Sequence, residues 1–168
     1  MHSLQIGSSA RILAKALNCL SSDTATSRPC GVCENCRAIA AGQHIDVMEI
    51  DAASHTGVDN MRDILDGAQY RPTNGRYRVY IIDEVHMLST SAFNALLKTL
   101  EEPPAHVIFI LATTEIRKVP VTILSRCQRF DLVRVPVDTL KKHFAWIADQ
   151  EKIELTDGAN ELLARAAD

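Results

Sequence analysis

Val79-Tyr80-Ile81-Ile82-Asp83-Glu84-Val85-His86-Met87-Leu88-Ser89 is the stretch on which the reading of the chain turns. Four apolar residues run without a break into two adjacent carboxylates. A run this short and uniform predicts a strand buried on both faces, in a parallel sheet covered by helices. Asp83 and Glu84 then sit just beyond the strand's carboxyl end, the rim where open α/β sheets bind ligands. A carboxylate there can hold a hard cation such as Mg²⁺. Its neighbour can polarise a water beside a phosphate. Taken alone, the residues fit equally well a strand that ends in an acidic turn.

The chain has 168 residues, the size of one ordinary domain, and 46% of them are hydrophobic, ample for a core. A net charge of −3 and a pI near 6.1 argue against a strongly basic nucleic-acid surface. Contact with DNA through a larger assembly stays open. No apolar run approaches the roughly 20 residues of a membrane span. Met1-His2-Ser3-Leu4 has no basic region followed by an apolar stretch, so no signal peptide is expected and a cytoplasmic location is. Cysteines in a reducing compartment read as metal ligands or free thiols, not disulfides.

Four of the five cysteines, Cys19, Cys30, Cys33 and Cys36, follow the pattern C-x10-C-x2-C-x2-C. Four thiolates complete a tetrahedral zinc site with no open position, which marks a structural site. Gly31 suits the tight turn between ligands. An iron–sulfur cluster and unligated thiols are the alternatives. Bacterial ferredoxin runs add C-x3-C-P after the triplet, whereas Cys36 is followed by Arg37-Ala38-Ile39. Structural zinc is the preferred reading, with the ion acting as a folding element.

Along the chain, residues 10–17 predict a helix with Ile12, Leu13, Ala16 and Leu17 on one face and Ser8 or Ser9 as cap. Residues 18–29 read as a loop. Residues 45–50 predict a strand. Residues 57–69 predict a helix burying Met61, Ile64, Leu65 and Ala68. Residues 72–76 form a turn around Asn74-Gly75. Ser89 caps a helix whose core face is Phe93, Leu96, Leu97 and Leu100, closed by Glu101-Glu102 and stopped by Pro103-Pro104. Residues 107–112 predict another central strand. Thr113 and Thr114 lie at its carboxyl end, on the rim of Asp83, where a hydroxyl can orient water or sense a phosphate; a Thr there is more ordinarily a turn cap. A link broken by Pro120 leads to a last short strand at 129–133 and a hinge at 135–137. Asp138 is expected to cap a helix to about Gln150. A second helix runs from Thr156 to the end. Lys141, Lys142 and Lys152 read as a solvated face. The alternation predicts an α/β fold with a mostly parallel sheet. The last two helices read as the start of a separate helical domain.

Several motifs together resemble one family. They are Ala-Arg-Ile-Leu-Ala-Lys-Ala-Leu-Asn-Cys (10–19), Pro-Cys-Gly-Val-Cys-Glu-Asn-Cys (29–36), Ile-Asp-Glu-Val-His-Met-Leu-Ser (82–89), Phe-Asn-Ala-Leu-Leu-Lys-Thr-Leu-Glu-Glu-Pro-Pro (93–104), Leu-Ala-Thr-Thr-Glu (111–115) and Leu-Ser-Arg-Cys (124–127). The set resembles the gamma/tau subunits of bacterial DNA polymerase III, the AAA+ motors of the sliding-clamp loader. That resemblance implies a P-loop NTPase-type αβα sandwich with a zinc-binding insertion. Residues 1–134 would be a partial nucleotidase domain, its zinc module at about 19–36. Residues 135–168 would be the first helices of the helical lid. The opening stretch becomes a Walker B strand, with Asp83 on Mg²⁺ and Glu84 activating the attacking water. Thr114, or else Thr113, would sense the γ-phosphate of Mg²⁺–ATP. Arg126 would be an arginine finger reaching a neighbour's nucleotide, a role suited to a planar, permanently charged guanidinium. Cys127 belongs to that triplet and not to the zinc set. The implied partners are the delta and delta-prime subunits, further gamma/tau copies, the sliding clamp and primed DNA.

The sequence also departs from the family. No G-x-x-x-x-G-K-[ST] occurs in it. Where the family's phosphate loop precedes the first helix, this chain reads Leu4-Gln5-Ile6-Gly7-Ser8-Ser9, with Ile6 at the place of the phosphate-binding lysine and Gly7 at that of the Mg²⁺-binding hydroxyl. The family's lid continues beyond the position of Asp168 into a second sensor arginine and a collar. The expectation is a chain truncated at both ends, with little or no ATP turnover alone. The missing first strand is expected to leave an unpaired apolar edge beside the Walker B strand. The alternative is a nucleotide-independent, delta-prime-like binding subunit, against which the intact Asp83-Glu84 pair argues.

Overall fold

The apolar run of the opening stretch forms the middle of a parallel sheet. The computed structural model describes residues 3–54 and 57–167. Within them β1 (Val47–Asp51), β2 (Arg78–Asp83) and β3 (Val107–Leu111) lie in the order β1-β2-β3. Asp51 pairs with Asp83, and Ile82 with Leu111, so the carboxyl ends of the strands share one rim. Val79, Tyr80, Ile81 and Ile82 are each 3% exposed or less. Their alternation splits them between two cores, as a strand's two-residue period requires. Tyr80 and Ile82 join Met61 and Leu65 of α3 (Val58–Ala68) and Phe93 and Leu96 of α4 (Thr90–Glu101). Val79 and Ile81 join Ala10 and Ala14 of α1 (Ser3–Asn18) and Ile39 of α2 (Glu34–Ala40). Burying each such aliphatic side chain contributes about 1.5–3 kcal/mol.

The helix signals are local and readable. Ser89 Oγ accepts the N–H of Ala92 at 3.2 Å and caps α4. Thr156 does the same for α7 (Asp157–Ala166), accepting from Ala159. Helix α2 has no counterpart in the sequence reading. It is only seven residues long, and of its apolar side chains it is Cys36 and Ile39 that it buries. Short elements α5 (Val121–Leu124) and two 3-10 turns, Val85–Met87 and Ile116–Lys118, fill the links.

Several expectations need correction. Ser8 and Ser9 lie inside α1, which begins at Ser3, and not at its start. The 107–111 strand is not central: among the described residues β3 has a neighbour on one side only, and Ile108, Phe109, Ile110 and Leu111 are half-buried. β2 is paired on both sides, so among the described residues the unpaired edges lie on its two neighbours, β1 and β3. Residues 129–133 form no strand among the described residues; an extended run is a strand only where its backbone is paired. Phe130, Leu132 and Val133 are exposed there. Asp138 is in the first turn of α6 (Val137–Glu151), where a carboxylate favours the helix dipole, while Pro136 occupies the cap. Lys141 is not simply solvated: its Nζ pairs with Glu161 at 2.5 Å.

The chain forms two compact units, Met1–Gln128 and Arg129–Asp168. The first holds the sheet and α1 to α5. In the second, α6 and α7 pack through Ala148 and Ala164, and Asn160 Nδ2 donates to the Lys141 carbonyl at 3.1 Å. The side chains of Leu4, Gln5 and Ile6, and all of Asp168, lie outside the described residues. Among those described, no helix is long and apolar enough to cross a membrane.

Candidate functional site

Asp83 closes β2, and its Oδ1 accepts the N–H of Glu84 at 2.9 Å. Glu84 has left-handed backbone angles, φ 47° and ψ 42°. For a residue with a Cβ this costs on the order of 1 kcal/mol, so the carboxylate is placed by its contacts. Glu84 Oε2 accepts the Thr114 hydroxyl at 3.3 Å and lies 3.3 Å from His86 Nδ1. His86 Nδ1 is also 2.8 Å from Thr113 Oγ1, which accepts the N–H of Glu115 at 3.0 Å. The two threonines therefore differ. Thr114 touches the Glu84 carboxylate, whereas Thr113 is engaged by the His86 ring and its own turn. Glu115 is held below the ordinary carboxylate range, chiefly by its hydrogen bond from Lys118 at 2.8 Å and to a lesser degree by His86.

An open cavity of about 200 Å³ runs along this rim, lined by Gly7, Glu49, Ile50, Asp51, Ile81 and Asp83. Arg11 binds Glu49 through both guanidinium arms, at 2.6 and 2.7 Å, which offsets one charge. Asp51 accepts the Ala53 N–H and the Ser54 hydroxyl, both at 2.9 Å. The stretch around Gly7, aligned above with a phosphate loop, is helical here.

The four cysteines come together. Their Sγ atoms all lie within 4.8 Å of one another. Tetrahedral zinc with Zn–S bonds of ~2.3 Å sets sulfurs ~3.8 Å apart, so the set fits one ion after a small contraction. No disulfide joins them. Backbone N–H groups point at the sulfurs, Cys30 at Cys19 and Cys33 at Cys30, each at 3.3 Å, and Cys36 at Cys33 at 3.5 Å. The Cys30 N–H, helped by Ser21, pulls the Cys19 thiol down to about 6. The Cys33 N–H likewise lowers Cys30. Burial pushes Cys36 up to about 12. Gly31 has φ +73°, the left-handed turn expected between ligands. Cys127 stands outside the cluster, against the core under α4.

Arg126 lies at the end of α5. Its Nη1 donates to the Thr122 carbonyl at 2.8 Å and its Nη2 to Glu101 Oε1 at 2.9 Å. None of these bonds reaches Asp83, Glu84, Thr113 or Thr114.

Sequence reasoning missed the polar residues that hold these parts in place. Arg76 donates to the carbonyls of Leu17, Ser22 and Cys19 at 3.1, 2.7 and 2.5 Å. Asp46, fully buried, accepts the N–H groups of Thr73, Asn74 and Gly75 at 2.8, 2.7 and 2.8 Å. Asn35 Nδ2 donates to the carbonyls of Asn18 and Asn74 at 3.0 and 3.2 Å. These bonds tie the cysteine module to the turn that feeds β2.

The chain is similar to known proteins along most of its length. A family model described as "DNA polymerase III, delta subunit" matches residues 2–136. The tau subunit of DNA polymerase III from Salmonella typhimurium is 57% identical over 159 residues, 95% of this chain and 24% of that protein. The Bacillus subtilis tau subunit is 53% identical over 161 residues, 96% of this chain and 28% of the relative. The chain thus spans about a quarter of the length of these relatives. Among solved structures, a DNA polymerase III gamma subunit-related protein from Thermotoga maritima matches with TM-score 0.57 and 26% identity, over 98% of this chain and 54% of that one. The Holliday junction branch migration motor RuvB of the same organism matches with TM-score 0.57 at 22% identity, over 75% of this chain and 42% of its own, and shows the fold alone. The fold is the α/β fold of AAA+ proteins.

Proposed function

We propose, from the premise that this chain belongs to the DNA polymerase III tau/gamma family, that it supplies the cation- and water-handling side of an ATPase site. The activity it serves would be ATP-driven loading of the sliding clamp on primed DNA. The observation that carries the reading is the Glu84 carboxylate at the end of β2, held 3.3 Å from the Thr114 hydroxyl and adjacent to Asp83.

In this reading Asp83 holds Mg²⁺, which would neutralise charge on the nucleotide phosphates. Glu84 orients and polarises the attacking water. Thr114 reports on the γ-phosphate through the same carboxylate that it binds, with Thr113 beside it on the nucleotide. Arg126 acts across a subunit boundary, which requires it to exchange its bond to Glu101 for a phosphate oxygen. Cys19, Cys30, Cys33 and Cys36 hold one structural zinc ion, which cross-links α2 to the loop after α1. The partners are the delta and delta-prime subunits, further gamma/tau copies, the clamp and primed DNA, in the cytoplasm.

Grafting residues 10–168 into the Escherichia coli tau subunit, 57% identical over 159 residues, tests this. The grafted subunit, assembled with delta and delta-prime, is expected to place the clamp on primed DNA, and Arg126→Ala to stop it. Assembly without loading would favour the second reading, a nucleotide-independent subunit.

A further inference from the structure

We infer that His86 is a positioning residue for Glu84, an inference that rests on the water-activating reading of that carboxylate. The His86 side chain is 7% exposed. A leucine or phenylalanine would fill such a place without the cost of desolvating an imidazole. The ring instead meets polar groups at both nitrogens. Nδ1 faces Thr113 Oγ1 at 2.8 Å and Glu84 Oε2 at 3.3 Å, and Nε2 faces Glu115 Oε1 at 3.9 Å.

The partners fix where the proton sits. An ionised carboxylate only accepts, so a bare Nδ1 lone pair 3.3 Å from Glu84 Oε2 would be repelled. Nδ1 therefore carries hydrogen, directed to Thr113 Oγ1 at 2.8 Å, with the Glu84 carboxylate within ion-pair distance of the same nitrogen at 3.3 Å.

The ring is itself anchored. It stands on the turn Val85–Met87, where Val85 N–H donates to the Ala112 carbonyl at 2.9 Å and Met87 N–H to Glu84 at 2.8 Å. His86 thus joins the end of β2 to the end of β3. Glu84 needs such a tether, because its left-handed backbone does not settle where the side chain points. With Thr114 bonding the same oxygen, the carboxylate is held from two sides. Removing the ring frees Glu84 to turn away from the water it orients.

The test compares His86→Leu and His86→Asn in the grafted tau subunit, assembled with delta, delta-prime, clamp and primed DNA. Asn places its amide Nδ2 near the position of Nδ1. His86→Leu is expected to lower kcat by about tenfold or more with KM for ATP within about twofold. His86→Asn is expected to recover at least about half of the loss on a logarithmic scale. An active graft whose kcat ignores His86→Leu, or in which Asn is no better than Leu, overturns the inference alone. A graft with no turnover at all overturns the reading of Glu84 and this inference with it. Nitrogen–proton correlation NMR of the unsubstituted chain is independent of variant folding. It should show hydrogen on Nδ1 of His86, and an unprotonated Nδ1 refutes the assignment.

Discussion

Asn18 and Tyr77 exchange a reciprocal pair of hydrogen bonds. Asn18 Oδ1 accepts the Tyr77 N–H, and Asn18 Nδ2 donates to the Tyr77 carbonyl, both at 2.9 Å. The same Oδ1 takes the Arg76 N–H at 2.9 Å, and Asn18 is 1% exposed. Asn18 adjoins the first cysteine of the cluster, and Tyr77 adjoins the strand that ends in Asp83. Asn18→Ala would leave these buried backbone groups unpaired, each costing about 1–3 kcal/mol. A loss of roughly 3 kcal/mol or more is expected in urea denaturation. Gly75→Ala should also destabilise, because its Cβ would meet Asn18 Oδ1 at 2.9 Å.

Asp46 gives the chain an acid-sensitive joint. Burial works against its charge, but the N–H groups of Thr73, Asn74 and Gly75 outweigh it and hold the carboxyl below its ordinary value. A depressed folded-state pKa adds stability above the unfolded pKa and loses it as pH falls through the folded one. Stability is therefore expected to be flat near neutrality and to fall below about pH 4. Asp46→Asn should lower stability at pH 7 and flatten that acid limb in parallel urea melts.

Metal content should separate the cysteines. Purified protein is expected to carry about one zinc ion per chain by elemental analysis. Cys33→Ser should lose it along with much of the thermal stability, because metal binding is folding energy in such modules. Cys127→Ser should leave metal content unchanged. Folded protein that holds no metal would refute structural zinc.

Arg126 should matter little to the isolated chain. Its pair with Glu101 is partly solvated, with side chains 34% and 49% exposed. Pairs of this kind contribute about 0.2–1 kcal/mol. Arg126→Ala is thus expected to leave the melting temperature nearly unchanged. In the assembled grafted subunit it should cut ATP turnover by about 10³-fold or more.

The parts of this fold that are legible in sequence are those whose burial is periodic. Residues 79–82 read as a doubly buried strand because they are one, and Met61, Leu65, Phe93 and Leu96 mark helix faces by their spacing. The cysteine spacing finds the cluster because Cys30, Cys33 and Cys36 follow one another at intervals of two intervening residues. The segment at 129–133 has strand composition, but a strand needs a partner, and composition does not say whether one is present. The edge position of β3 was hidden for the same reason. Helix α2 is too short to show a period. Asn18 and Asp46 act through partners 27 or more residues away, such as Tyr77 and Thr73, and His86 reaches Thr113 across the same separation as well as its neighbour Glu84. No local pattern records such pairings.

The most direct measurement is steady-state ATP turnover by the grafted, assembled subunit with and without Glu84→Gln. The account predicts turnover stimulated by clamp and primed DNA, falling by about 100-fold or more in Glu84→Gln while KM for ATP holds. Turnover that persists in Glu84→Gln would contradict the assignment of water activation to this carboxylate.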